Sequence, residues 1–170
     1  MNKDLLLELY KSQSKIIYKY LIKCGCPKED AEDIVQDSFI KALEYMEGVS
    51  INNLSSWLFK VSINNYKNKI KKRSYVLDLN ISEEVLYANL ILEENLEQGL
   101  LSKEKSEAIT QCLNSLKEES RTLLILKYEL ELSYKEISRL LGLSEDMIKT
   151  YLYRARNMFK EIWRDKYGEQ

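Results

Sequence analysis

The sequence predicts an all-α protein made of two helical modules, on three observations. Apolar residues recur at three- and four-residue spacing over long stretches, the period of one buried helix face. The 170 residues include one proline and five glycines, so little interrupts those runs. An acidic stretch then divides the chain: from Asp78 to Glu107, eight acids (Asp78, Glu83, Glu84, Glu93, Glu94, Glu97, Glu104 and Glu107) face only Lys103 and Lys105. A hydrophobic content of 45% is ordinary for a globular chain and argues against wholesale disorder.

The first helix is expected from Asp4 to Lys23, with Leu5, Leu6, Leu9, Ile16, Ile17, Tyr20 and Leu21 apolar. Cys24-Gly25-Cys26-Pro27 breaks it, and Pro27 suits the first turn of the next helix, where its missing N–H costs nothing. That second helix, about Lys28 to Met46, turns Ala31, Ile34, Val35, Phe39, Ala42, Leu43 and Met46 inward. Its start carries Glu29, Asp30, Glu32, Asp33, Gln36 and Asp37. Acids there complement the helix dipole by about 0.3–1 kcal/mol each, but more are present than capping needs. The surplus reads either as a solvated face or as a surface for a basic protein partner.

A loop is expected from Glu47 to Asn53, with Gly48 and the Asn52-Asn53 pair as turn residues, and a third helix from near Asn53 or Ser55. Trp57, Leu58, Val61 and Tyr66 give that helix an inward face. From Trp57 to Arg73 there is no acid, whereas Lys60, Lys67, Lys69, Lys71, Lys72 and Arg73 are basic and Asn64, Asn65 and Asn68 interleave. A basic helix with amides and aromatics can track phosphates and bond or stack on exposed bases; a solvated basic face is the other reading.

After the acidic stretch, read as a linker with helical tendency, a second module spans about Lys103 to Lys166. Helices are expected at Ser106–Leu116 and Glu118–Leu130, with Leu113, Leu116, Leu123, Leu124, Leu126 and Tyr128 packing inward. In SYKEISRLLGLSEDMIKTYLYRAR, Ser133 to Arg156, Ser133 and Glu136 form a capping box. Ile137, Leu140 and Leu141 share a face, Gly142 supplies a left-handed helix end, and Ser144 caps a second helix with Glu145 and Asp146 at its positive end. Ile148, Leu152, Ala155 and Phe159 face inward there, leaving Asp146, Lys149, Thr150, Tyr153, Arg156 and Asn157 outside. This is the pattern of a helix-turn-helix whose second helix enters a DNA major groove, or of a helical hairpin that simply packs. The basic run Arg154, Arg156, Lys160, Arg164 and Lys166 favours DNA, because it can lie along phosphates. A net charge of −1 is low for a DNA binder, but counterion release depends on clustered cations rather than on the sum.

Other functional classes receive no support. The chain has no histidine and no CxxC pair, and the odd count of three cysteines (Cys24, Cys26, Cys112) suits small buried side chains better than a metal site or disulfide framework. No catalytic constellation, cofactor site or nucleotide-binding glycine loop is present, so no small-molecule substrate is expected. No apolar stretch approaches the roughly 18 residues of a membrane span, and MNKDLLLELYKSQSK is too polar for a secretory signal. A cytoplasmic protein is expected.

Three motifs together resemble one family. DAEDIVQDSFIKAL (Asp30 to Leu43), WLFKVSINNYKNKIKKR (Trp57 to Arg73) and LKEESRTLLILKYELELSYKEISRLLGLSEDMIKTYLYRARNMF (Leu116 to Phe159) stand in the order and spacing of an extracytoplasmic-function sigma factor of the sigma-70 family. The resemblance runs from about Leu6 to Phe159, with only the linker unmatched. It implies a sigma-2-like domain (1–74), a flexible acidic linker (75–102) and a sigma-4-like helix-turn-helix domain (103–170). By resemblance, Asp30, Glu32, Asp33, Gln36 and Asp37 dock on the β′ clamp of core RNA polymerase. Lys60, Asn64, Lys67 and Asn68 open the −10 promoter element and hold a flipped base, with Glu47 to Leu54 walling the pocket. Ser144, Lys149, Thr150, Tyr153, Arg154 and Arg156 read the −35 duplex, and neighbouring helices touch the β flap. An anti-sigma factor is a further expected partner.

The chain departs from the family pattern at five positions. Lys117 stands where proline is common, Glu131 where glycine is frequent, Tyr151 where a basic residue is usual, Met147 where a small one is, and Leu54 where an aromatic is. The expectation is a promoter-specificity subunit and not an enzyme. The rival readings are a stand-alone helix-turn-helix regulator, which would dimerise on palindromic half-sites, and a helical adaptor that binds only proteins.

Overall fold

The structure, a computed structural model, describes residues 2–45, 51–71 and 103–168, and the elements among them are helical. The chain divides into two units, residues 1–80 with 138–143 and residues 81–137 with 144–170.

The N-terminal helices are α1 (Asn2–Lys23), α2 (Lys28–Tyr45) and α3 (Ile51–Lys71), each packed on the other two. Their core contains the fully buried Ile17, Leu21, Ile34, Leu58 and Phe59. Edge-on aromatic pairs, Tyr10–Phe39 at 5.0 Å and Tyr20–Phe59 at 5.2 Å, join α1 to its two neighbours. Between α1 and α2 the chain closes a Schellman turn. Gly25 takes φ 87°, its N–H donates to the Ile22 carbonyl at 3.0 Å, and the Cys26 N–H donates to the Leu21 carbonyl at 2.9 Å. The Tyr66 hydroxyl of α3 donates to the Cys24 carbonyl at 2.9 Å and fixes that turn to the third helix.

Two buried serines mark where α2 and α3 approach. The Ser62 hydroxyl lies 3.0 Å from that of Ser38, and each bonds to the carbonyl one turn earlier in its own helix. Both hydroxyls are therefore satisfied away from water.

In the C-terminal unit, α4 is Lys103–Ser115 and α5 is Glu118–Leu124, which runs into a π-helical turn at Ile125–Glu129. Next along the chain come α6 (Tyr134–Leu141), whose residues 138–141 count with the first unit, and α7 (Glu145–Tyr167). Ile109, Leu113, Leu124, Ile125, Ile148, Leu152 and Phe159 are fully buried. The far end of α7 is tied to α4 by Lys166 Nζ on Ser115 Oγ and Tyr167 Oη on Gln111 Oε1, both at 2.9 Å, and Trp163 stacks on Phe159.

Several expected boundaries shift. Helix α3 starts at Ile51, so Asn52 and Asn53 lie in its first turn and not in a loop. Asparagine costs a helix only a few tenths of a kcal/mol, less than is gained by burying Leu54, Leu58 and Phe59 along the same helix. Helix α4 starts at Lys103, ahead of the expected Ser106. The helix expected to run unbroken to Leu130 widens after Leu124: the Leu130 N–H reaches back to the Ile125 carbonyl at 3.1 Å, and the Leu132 N–H to that of Leu126 at 3.1 Å. This brings Leu132 into the core and forces Glu131 to φ 53°, a left-handed conformation at the position where the family often has glycine.

Leu43, expected inside, is 51% exposed. The buried side of α2 is set by Ala31, Ile34, Val35, Ser38, Phe39 and Ala42, and Leu43 lies about a third of a turn from the centre of that side. All three cysteines are buried thiols, as their composition predicts. Among the described residues no helix is long and apolar enough to cross a membrane. Met46, expected on the inward side of α2, the remainder of the expected loop, Glu47 to Ser50, the cations Lys72 and Arg73, and the acidic linker 75–102 lie outside the described residues.

Candidate nucleic-acid and protein interfaces

Three surfaces carry the residues singled out in the sequence. On α3 the buried side consists of Leu54, Ser55, Leu58, Phe59, Ser62 and Tyr66. At 3.6 residues per turn the side opposite carries Lys60, Asn64, Lys67, Asn68 and Lys71. Lys60, Asn64 and Asn68 are exposed and Lys67 is half-buried, so amides and ammoniums alternate along one stripe. Lys69 lies beside that stripe and is paired with Asp30 of α2 at 3.3 Å.

That pair alters the reading of the acidic surface. Asp30, half-buried, is tied to α3, whereas Glu32, Asp33, Gln36 and Asp37 are exposed. Among the exposed ones lie two side chains that the sequence did not single out for this face: Ile40 and Leu43, 52% and 51% exposed. Asp33, Gln36, Ile40, Leu43 and Glu44 follow one another at helical spacing opposite the core. The surface is thus an apolar strip edged by carboxylates, a composition suited to a protein partner rather than to bare solvent. A complete register of α2, anchored on Ser38 as a core residue, contains this signal.

The helix-turn-helix is built by local rules. The Ser133 N–H donates to the Glu136 carboxylate at 2.7 Å, and the Glu136 N–H donates to Ser133 Oγ at 3.1 Å, closing the capping box. Gly142 takes φ 68°; its N–H and that of Leu143 both donate to the Ser138 carbonyl, and Ser138 Oγ donates to the Leu143 carbonyl. Ser144 Oγ then accepts from the Met147 N–H at 3.2 Å, which commits this hydroxyl to capping α7. Ile137 and Leu140 are buried and Leu141 is half-buried.

On α7, Ile148, Leu152, Ala155 and Phe159 are buried. Lys149, Thr150, Tyr153 and Arg154 are exposed, Tyr153 by 61%. Thr150 Oγ1 bonds to the Asp146 carbonyl at 3.0 Å, leaving its methyl and remaining oxygen lone pairs outward. Arg156 is half-buried, and its Nη1 donates to Tyr128 Oη at 2.8 Å. Burial acts against its charge, but the Tyr128 hydrogen bond and the nearby Tyr128 and Tyr134 oxygens outweigh this, so its pKa lies above the usual guanidinium value. Among the described residues no group of histidine, cysteine and acidic side chains is placed to hold a metal ion.

A capped helix-turn-helix and an amide-rich basic helix define the class: a helical nucleic-acid-binding protein. Comparison with known proteins makes the assignment specific. The profile of sigma-70 region 2 matches residues 9–75, and that of sigma-70 region 4 matches residues 106–158. The chain is 30% identical to the RNA polymerase sigma factor YlaC of Bacillus subtilis over 161 residues, covering 94% of this chain and 92% of that one. It is 29% identical to the ECF RNA polymerase sigma factor SigW of the same organism over 167 residues, covering 94% and 88%. Among solved structures, the sigma factor RpoE in complex with the anti-sigma factor NepR from Bartonella quintana aligns over 96% of both chains, at 23% identity and a TM-score of 0.48. The chain belongs to the sigma-70 family of RNA polymerase sigma factors, in its extracytoplasmic-function group. It is a subunit that directs promoter-specific initiation of transcription.

Proposed function

We propose that the three surfaces divide the work of initiation. The face of Glu32, Asp33, Gln36 and Asp37, with Ile40 and Leu43 between them and Asp30 at its edge, docks on the β′ clamp of core polymerase. The stripe Lys60, Asn64, Lys67 and Asn68 takes the −10 element, with amides bonding a flipped base of the non-template strand and ammoniums meeting phosphates. Extruding that base costs a few kcal/mol, which these contacts offset. The second helix of the helix-turn-helix, capped by Ser144, reads the −35 duplex through Lys149, Thr150, Tyr153, Arg154 and Arg156, and its neighbouring helices touch the β flap.

The acidic segment 75–102 occupies the RNA exit path until the transcript displaces it. The chain performs no catalysis of its own, works in the cytoplasm, and has an anti-sigma factor as a further partner. The observation that carries this reading is the α3 stripe: exposed amides and ammoniums lie directly opposite the core, on a helix without an acid. Neither a stand-alone regulator nor a protein-only adaptor has use for such a helix beside a helix-turn-helix.

Run-off transcription from a pool of promoter fragments, with core polymerase alone and with this protein added, tests the proposal. Start sites that need the protein, with two shared upstream elements, are the expected result. No new transcripts, together with tight binding of the free protein to duplex DNA, would favour the regulator instead.

A further inference from the structure

The C-terminal unit holds a cluster that a helix-turn-helix does not require. Two tyrosines gather three cations. Tyr128, in the π-helical turn, accepts from Arg156 Nη1 at 2.8 Å. Tyr134, the first residue of α6, has Lys127 Nζ 4.4 Å and Lys149 Nζ 5.6 Å from its ring centroid. Lys127 is fixed a second time, donating to the Leu132 carbonyl at 3.1 Å. Among the described residues, none of Lys127, Lys149 and Arg156 forms an ion pair. The Glu136 carboxylate, two residues along α6 from Tyr134, accepts from the Ser133 N–H of the capping box.

Three cations brought together without an ion pair repel one another, so the cluster is organised for an anion that arrives from outside. A phenol oxygen or an aromatic face orients a cation without neutralising it, which leaves the full charge for that anion. The placement on α7 identifies the anion. Thr150 and Tyr153 lie away from the buried Ile148, Leu152, Ala155 and Phe159, where a helix in the major groove meets base edges. Lys149 and Arg156 are seven residues apart, about 10 Å along the axis, and lie on the flank nearer the core, where such a helix meets the sugar-phosphate wall.

We propose that Lys127, Lys149 and Arg156, organised by Tyr128 and Tyr134, clamp adjacent backbone phosphates of the upstream promoter duplex, and that Tyr128 positions Arg156 for this. The inference rests on the reading of α7 as the −35 helix. Within that reading it moves Lys149 from choosing bases to setting register, makes the phosphate contact of Arg156 depend on Tyr128, and adds Lys127 to the contact.

The test is equilibrium binding of core polymerase, loaded with the full chain, to promoter duplexes differing in the −35 element, over a range of salt concentrations. Lys127→Gln, Lys149→Gln and Arg156→Gln are each expected to weaken all duplexes by a common factor. Each should also reduce the slope of log K against log salt by about 1. Tyr128→Phe keeps the ring and frees the guanidinium, so it should weaken binding about three- to tenfold. It should cost nothing further when added to Arg156→Gln. A Lys149 or Arg156 variant that re-ranked the duplexes at unchanged slope would overturn the clamp while leaving −35 reading intact. Equal losses from Tyr128→Phe in both backgrounds would remove its positioning role. A wild-type holoenzyme indifferent to the −35 sequence would instead overturn the reading of α7 itself.

Discussion

Replacing Glu131 with glycine is expected to stabilise the protein, although it deletes a charged side chain. Glu131 sits at φ 53°, where the backbone leaves the π-helical turn and returns Leu132 to the core. An L-residue pays about 1–2 kcal/mol for the left-handed conformation. Glycine avoids this strain but loses about 0.5–1 kcal/mol more chain entropy on folding. The Glu131 side chain is exposed and makes no hydrogen bond or ion pair among the described residues, so its removal sacrifices no contact. The difference leaves Glu131→Gly more stable by about 0.5–1 kcal/mol. With a urea m-value of about 1–2 kcal/mol/M, the denaturation midpoint should rise by about 0.5 M at unchanged slope. Gly25, at φ 87° in the Schellman turn, gives the reverse experiment. There alanine should lower the midpoint by a similar amount, for the same reasons with opposite sign. A Glu131→Gly protein no more stable than wild type, beside a Gly25→Ala protein that is destabilised, would show that the turn after Glu129 is not strained and that the argument from φ fails there.

Three further outcomes follow from particular contacts. Phe159→Ala empties the centre of the C-terminal core and should cost about 3–5 kcal/mol in chemical denaturation; a loss below about 1 kcal/mol would mean that the core collapses around the gap. Asn64→Ala should slow promoter opening, read by permanganate reactivity of the −10 strand, while the variant still co-purifies with core polymerase; loss of co-purification would move Asn64 to the polymerase interface. Burial raises the Cys112 thiol above its ordinary 9.0, only partly countered by Lys166. The folded state therefore keeps a proton that the unfolded chain gives up. This contribution is fully present below pH 9 and is lost as pH rises from there through the folded value. Between pH 8 and pH 10 wild type should lose more stability than Cys112→Ala, and parallel losses in the two proteins would contradict the shift.

What could be read from the sequence was whatever short-range rules govern. The capping box at Ser133 and Glu136, the left-handed Gly142 and the Ser144 cap each involve residues within a few positions of one another, and each forms at its expected place. The inward face of α7 follows directly from a 3.6-residue period. On α3 the expected face is rotated: Leu58 and Tyr66 are buried, but Trp57 and Val61 are only half-buried, and Leu54 and Phe59 fill the core instead. The α2 face was misjudged at one edge, because Leu43 is as apolar as its neighbours and only a complete register, with Ser38 counted as core, turns it outward. The start of α3 was misjudged because Asn52 and Asn53 favour turns only until the helix that follows has enough packing to hold its first turn.

The sequence by itself determined an all-α chain, its helix-turn-helix, its acid-free third helix and, through three spaced motifs, its family. All of these depend on the local order of apolar, capping and charged residues. Only the tertiary structure decided which of the charged residues are engaged inside the protein. Asp30 meets Lys69 across 39 positions of sequence, and Arg156 meets Tyr128 across 28. It also decided that the helix after Leu124 widens into a π turn that carries Lys127 and Tyr128 to the cluster around Tyr134. Such pairings depend on where packed helices place the ends of long side chains. No periodicity in the chain encodes that placement, because it is fixed only when the cores close.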